Sequence, residues 1–163
     1  MSNAGNGPGK AFIKFFTGLT VVLYRVSGGR LMSRMRGAPI CLVTVTGHKS
    51  GRRRTVALIY TPDGDSVLLV ASLGGAPKHP AWYHNLTAHP QIEVQLGGVT
   101  RTMIAREASS AERTTLWPNV VANYPSSATS RQKTSRGIPI FVCTPSARIA
   151  PKVFGVVGSA GAR

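Results

Sequence analysis

A chain of 163 residues is long enough for one ordinary domain with a sizeable core and short for two. Apolar residues make up 42% and charged residues only 15%, a balance that excludes a chain disordered as a whole. Within the charged set 20 Lys and Arg stand against 5 Asp and Glu, a formal net charge of +15, so the expected partner is anionic. The acids are Asp63, Asp65, Glu93, Glu107 and Glu112. So few carboxylates argue against two-carboxylate hydrolysis, acid-rich Mg2+ or Ca2+ sites and aspartic-protease chemistry, each of which needs acids that converge.

Residues 1–9 read as a loose tail without the charged region and cleavage site of a signal peptide. Phe12, Phe15, Phe16, Leu19, Val22, Leu23 and Val26 then recur at helical spacing, and Gly28-Gly29 ends the helix. The apolar part, 15–24, is too short to span a bilayer, which points to a cytoplasmic protein. Because 30–36 continues basic and amphipathic, residues 1–36 are expected to form a cationic helical arm, packed on the core or lying on an anionic lipid surface.

From Pro39 the pattern turns to strands at 40–46, 55–61 and 66–72, with a Pro62-Asp63-Gly64-Asp65 turn between the last two. A short helix over 79–88 carries Trp82, Tyr83 and Leu86, and strands 91–96 and 99–105 flank a Gly97-Gly98 hairpin turn. Ser109-x-x-Glu112 fits a capping box that opens a helix with Leu116, Trp117, Val120, Val121 and Tyr124. A polar Ser/Thr segment follows, then a strand over 138–143 and a frayed end over 146–163. About six strands joined mostly as hairpins predict an α+β, mainly β domain over 37–145: an antiparallel sheet or small closed barrel with short flanking helices. Cys41 and Cys143, each inside an apolar run, read as buried thiols.

The segment Gly47-His48-Lys49-Ser50-Gly51-Arg52-Arg53-Arg54 sits between two strands. Its glycines allow a tight turn with exposed N–H groups, and Ser50 and the four cations supply donors suited to phosphate or carboxylate. It is not a Walker A loop, because His48 separates Gly47 from Lys49. A second segment, 71–86, combines Gly74-Gly75 with Trp82 and Tyr83, which suits a flat ligand close to the backbone. His79, His84 and His89 lie five apart, which matches no helical metal-ligand spacing, and no metal is expected. Without a nucleophile elbow or an acid to orient His48, an enzymatic reading needs a bound, anionic cofactor to carry the hard step.

Together, Gly47-His48-Lys49-Ser50-Gly51 through Arg54, Ala71-Ser72-Leu73-Gly74-Gly75, His79 through Leu86, Ala88-His89-Pro90 and Arg136-Gly137-Ile138-Pro139-Ile140 resemble the deazaflavin (coenzyme F420)-dependent nitroreductase and quinone reductase family. The resemblance spans about residues 15–145 in order. It implies a six-stranded antiparallel split β-barrel that binds coenzyme F420 in a basic groove and passes hydride to quinones such as menaquinone, with nitroaromatics as adventitious acceptors in some members. Carried over by position, His48, Lys49, Ser50 and Arg54 would hold the phosphate and polyglutamate tail, and Thr55, Val56, Ala57, Leu58, Ile59 and Tyr60 would line the cofactor. Val70, Ala71, Ser72 and Leu73 would approach the ring, Ala81, Trp82, Tyr83, His84 and Asn85 would complete the site, and Ser72 and Tyr124 are the implied catalytic residues.

One departure concerns the acceptor. Nitroimidazole-reducing members carry tyrosines after the Tyr-Pro step, where this chain keeps Tyr124-Pro125 but has Ser127 and Ser130. A membrane surface at the N-terminal arm and a homodimer complete the expected partners, with no specific nucleic acid. The competing readings are a basic small barrel that binds nucleic acid and a split barrel that binds FMN or haem.

Overall fold

In the computed structural model residues 9–146 are described, with side chains from Gly18 onward. The order is α1 (Gly9–Val26), β1 (Arg34–Met35), β2 (Ala38–Thr46), β3 (Arg53–Asp63), β4 (Ser66–Val70), a 3-10 turn (Leu73–Gly75), α2 (Ala81–Ala88), β5 (Gln91–Leu96), β6 (Val99–Glu107), α3 (Ser110–Asn123), α4 (Ser126–Gln132) and β7 (Ile140–Pro145). Apart from Gly9, which opens α1, and Ser146, the expected tails fall outside the described residues.

Six strands pair antiparallel in the order β2-β3-β4-β7-β6-β5, and pairing of Val43 with Val94 joins β5 back to β2. The sheet is thereby a closed barrel with no free edge among those six strands. Alternation along the strands makes the interior. Cys41, Val43, Val45, Val67, Leu69, Ala71, Ile92, Val94, Met103, Ala105, Phe141 and Cys143 meet there, with Trp82 and Leu86 of α2 at one end. Burial holds both thiols far above their ordinary range, that of Cys143 at about 12.

Two outer clusters attach the helices. Val21 and Tyr24 of α1 pack on Ile40 and Leu42, with Ala57 and Ile59 beside them. Val120 of α3 packs with Leu68, Ala108 and Ile140, and Val70, Leu116, Trp117 and Val142 extend that contact. Helix α3 begins as its sequence predicts: Ser109 Oγ accepts from the Glu112 N–H, and the Glu112 carboxylate accepts from the Ser109 N–H.

One expectation is corrected and one element is added. Residues 30–36 do not extend the helical arm: α1 stops at Val26, and Gly28, Gly29, Met32, Arg36 and Gly37 all take positive φ. The chain there turns back so that Arg34 and Met35 pair with Pro39 and Ala38. The polar segment after Tyr124 is helical over Ser126–Gln132 (α4), although it has no apolar period. Packing decides it, since α4 lies on the 3-10 turn at Gly75, where a Cβ would come within 2.7 Å of Ser130 O.

Candidate active site

Along β3, Val56, Leu58 and Tyr60 pack against the barrel core, and Ala57 and Ile59 pack against the α1 cluster. A cavity of about 260 Å³ opens against this strand. Its walls come from five further segments: Met35 of β1, Val70 at the end of β4, the 72–74 turn, Pro80 and Trp82 at the start of α2, and Val120, Tyr124, Ser127 and Ser130 of α3, its C-terminal cap and α4. The lining is mostly apolar, with the hydroxyl-bearing residues Thr61, Ser72, Tyr124, Ser127 and Ser130 among it. Asn123 pins α3 to the strand by donating to Tyr60 O at 2.9 Å and Thr61 Oγ1 at 3.2 Å.

Of the residues expected in the site, Ala57, Leu58, Ile59, Val70, Ser72, Leu73, Trp82 and Tyr124 line this cavity. The acceptor positions Ser127 and Ser130 do too, and both are buried. Val56, Tyr60 and Ala71 belong to the barrel interior, and burial raises the Tyr60 phenol above its ordinary value. Thr55 shares a 2.9 Å hydrogen bond with Thr44 and accepts from Arg25 at the other end of the strand. Ala81, Tyr83 and His84 lie on α2 without lining the cavity; Tyr83 stacks on His79 and donates to Glu107. Met35, Thr61 and Val120 complete the lining and were not anticipated, whereas Gly74 and Pro80 belong to the 71–86 segment expected against a flat ligand.

The basic loop forms a separate cradle. Gly47 N–H donates to Arg52 O and Gly51 N–H to Gly47 O, closing a tight turn. A Cβ on Gly47 would stand 2.7 Å from Ser50 Oγ and 3.5 Å from Arg54 Nε, so the absent side chain lets a hydroxyl and a guanidinium converge. His48 is tied to α2: its backbone N–H donates to Asn85 Oδ1 at 3.0 Å, and its Nδ1 lies 2.7 Å from the same oxygen. An amide oxygen only accepts, so the Nδ1–H of His48 donates to it. Arg53 is neutralised by Glu93 at 2.6 Å, whereas no carboxylate among the described residues pairs with Lys49, Arg52 or Arg54.

The structure thus combines a closed six-stranded barrel, an apolar cavity on one strand, and at that strand's start a basic cradle whose Lys49, Arg52 and Arg54 have no carboxylate partner among the described residues. Residues 18–145 match the family described as F420H(2)-dependent quinone reductase. The chain belongs to that family. It is an oxidoreductase whose cofactor is coenzyme F420. An F420H(2)-dependent quinone reductase of Mycobacterium tuberculosis (strain ATCC 25618 / H37Rv) is 41% identical over 128 residues, covering 75% of this chain and 85% of that one. A solved F420-H2 dependent reductase (FDR-A) superposes with a TM-score of 0.61 at 42% identity, over 64% of this chain and 93% of its own. A second solved structure, described as a domain-swapped dimer, reaches a TM-score of 0.63 at 34% identity over 82% and 97%.

The residues present fit the cofactor. An apolar cavity with few hydroxyls suits a flat heteroaromatic ring, and the Gly47 cradle with its unpaired cations suits phosphate and carboxylate. Among the described residues no group of three or more His, Cys, Asp or Glu is placed to hold a metal, and no helix is long and apolar enough to cross a membrane.

Proposed function

We propose that the cavity on β3 holds the deazaflavin ring together with a quinone-type acceptor, while His48, Lys49, Ser50 and Arg54 hold the phosphate and the carboxylate tail. The observation that carries this reading is the shared strand: β3 leaves the basic cradle at Arg53 and lines the cavity from Ala57 to Thr61. Reduced coenzyme F420 supplies a hydride. The chain's own contribution is to exclude water with Leu58, Ile59, Val70 and Trp82, to orient the reactants, and to hydrogen-bond the acceptor oxygen. Ser72 and Tyr124 are the hydroxyls assigned to that bond, through which a quinone oxygen gains the proton that accompanies the hydride.

Nitroaromatics belong to the same reading as secondary acceptors. Lipid contact is the second part. Leu19, Val22, Val26, Leu31 and Met35 are exposed apolar side chains on α1 and the turn after it, interleaved with Arg25, Arg30, Arg34 and Arg36. Such a face suits peripheral contact with an anionic membrane, where a lipid-soluble quinone resides, from the cytoplasmic side. The domain-swapped relative supports a homodimer, which light scattering checks.

The deciding experiment is a fluorescence titration of the purified chain with coenzyme F420 at physiological salt, with FMN and a DNA duplex in parallel, followed by turnover of reduced cofactor with menadione. Selective cofactor binding with quinone turnover is expected. Retention of FMN or DNA in preference to coenzyme F420 would overturn the reading. Vesicle pelleting of the parent and of a variant carrying Val22→Ser, Val26→Ser and Leu31→Ser, all exposed positions, tests the membrane part, and equal pelleting ends it.

A further inference from the structure

The strongest unassigned contact set in the molecule belongs to Arg136, in the segment between α4 and β7. Its guanidinium donates to three backbone carbonyls: Ala76 O at 2.8 Å, Ser72 O at 2.9 Å and Ala71 O at 3.1 Å. Its remaining nitrogen lies 3.1 Å from His79 Nδ1. Arginine only donates, so Nδ1 accepts and the ring is neutral with its proton on Nε2. All four partners lie in 71–79, the stretch that leaves β4 and carries Ser72, Leu73 and Gly74 along the cavity wall. The planar fork of a guanidinium matches several fixed carbonyls, which the point charge of a lysine does not.

Between the clamped carbonyls stands Leu73, whose backbone is held at φ +45°, a left-handed conformation that costs a non-glycine residue strain. Its side chain is 54% exposed although it borders the cavity, and Met35, also on the border, is 37% exposed. Large apolar side chains left half in water at a cavity rim suit a hydrophobic molecule entering there. The opposite side of the turn is fixed as well, because Gly75 abuts Ser130 of α4 and Lys133 just beyond it too closely for any Cβ.

We propose that Arg136 is a positioning residue that clamps the 71–76 turn, and that Leu73, held strained by that clamp, forms with Met35 an apolar lip that selects hydrophobic acceptors. The proposal rests on the quinone-reductase reading for what passes the lip; the clamp itself stands on geometry alone. Arg136, Leu73 and Met35 take no part in the chemistry of transfer. Arg136 acts through Ser72 and Leu73.

Three variants test it: Arg136→Ala, Arg136→Lys and Leu73→Gly, with Arg101→Ala on β6 as a control for lost charge. Limited trypsinolysis after Lys78, exposed in the clamped stretch, reads the clamp without cofactor or turnover. Arg136→Ala should be cut at least tenfold faster there, Arg136→Lys nearly as fast, and millimolar guanidinium should slow cleavage of the alanine variant; Arg101→Ala should match the parent. In turnover, Leu73→Gly should raise KM for a prenylated quinone by a several times larger factor than KM for a small soluble quinone. Parent-like cleavage in both Arg136 variants overturns the clamp. Equal KM changes for the two quinones in Leu73→Gly overturn the lip. Should Arg136→Ala fail to fold, the lysine variant and Leu73→Gly carry the same tests. A parent chain that turns over no quinone sinks the functional reading, and the cleavage assay still decides the clamp.

Discussion

Gly29 and Gly97 touch backbone to backbone: a Cβ on Gly29 would stand 2.4 Å from Gly97 Cα and 3.0 Å from its carbonyl carbon. The contact joins the end of α1 to the β5–β6 hairpin. Tyr24 completes the join, accepting from the Gly97 N–H at 2.7 Å and donating to Ile40 O at 3.0 Å, and burial raises its phenol above the ordinary value. Since Gly29 also sits at φ +80°, Gly29→Ala meets both a clash and backbone strain. The variant should lose about 3 kcal/mol of stability, a fall of roughly 6–12 °C in thermal midpoint for a chain of this size. Thermal unfolding followed by circular dichroism checks it, and an unchanged midpoint would show that α1 is not docked at this hairpin.

Asn85 shapes the cradle from outside it. Its buried Oδ1 accepts both donors of His48, so Asn85→Leu leaves a backbone N–H and a ring N–H unpaired at the start of the basic loop. The expected loss is about 1–3 kcal/mol, the penalty for unsatisfied donors, together with weaker coenzyme F420 binding because the loop no longer has a fixed anchor. Urea unfolding and a fluorescence titration measure the two effects separately. Full affinity in a destabilised variant would detach the His48–Asn85 pair from cofactor binding.

Lys49→Ala and Arg54→Ala should each weaken coenzyme F420 binding by about tenfold, since each removes one charge-assisted contact to an anion. Neither side chain has a carboxylate partner among the described residues, so stability should hold. The affinity of the parent should also fall more steeply with added salt than that of either variant. Titrations at two ionic strengths check this, and unchanged affinity in both variants would move the phosphate site elsewhere.

Acid should reach the capping box before the barrel. The Arg106 guanidinium beside Glu112 and the Ser109 N–H hold that carboxyl down at about 2, against an ordinary value of 4.5. A depressed carboxyl contributes stability that is present above its unfolded value and disappears as pH falls through the folded one, here between about 4.5 and 2. Because the pair is exposed to solvent, the effect should be small and screened by salt. Glu112→Gln should therefore narrow the difference in thermal midpoint between pH 5 and pH 3 relative to the parent, and an identical difference would show that the box adds nothing to stability.

How much of this the sequence discloses follows from which interactions leave a local trace. The barrel strands alternate, the β5–β6 turn is a Gly-Gly pair, and the capping box is written as Ser109 and Glu112, so these are legible directly. Helix α4 is not, because its formation depends on packing of Ser130 against a glycine 55 residues earlier in the chain. Residues 30–36 mislead in the opposite direction: their basic-apolar mixture has a helical look, but positive φ at Met32, Arg36 and Gly37 folds them into a turn that delivers Met35 to the cavity. The role of Arg136 has no sequence signature at all. Three of its four partners are backbone carbonyls about sixty positions away, and a carbonyl has no residue type.

Ser127 and Ser130 carry the last prediction, because they distinguish the two acceptor classes. Both are buried and line the cavity, and Ser130 is further constrained by Gly75, on which a Cβ would stand 2.7 Å from Ser130 O. Tyrosine at 127 would fill part of the cavity of about 260 Å³ with a ring and a phenol. Tyrosine at 130 would also press on the 3-10 turn and destabilise it, since overpacking a fitted site costs about 1–3 kcal/mol. Ser127→Tyr should therefore fold and raise KM for a prenylated quinone by severalfold, while turnover of a compact nitroimidazole rises or holds. Ser130→Tyr should lower the thermal midpoint by roughly 2–12 °C on the same scale. Steady-state kinetics with both acceptors checks the first, and unchanged KM for the quinone in Ser127→Tyr would place the acceptor outside this wall of the cavity.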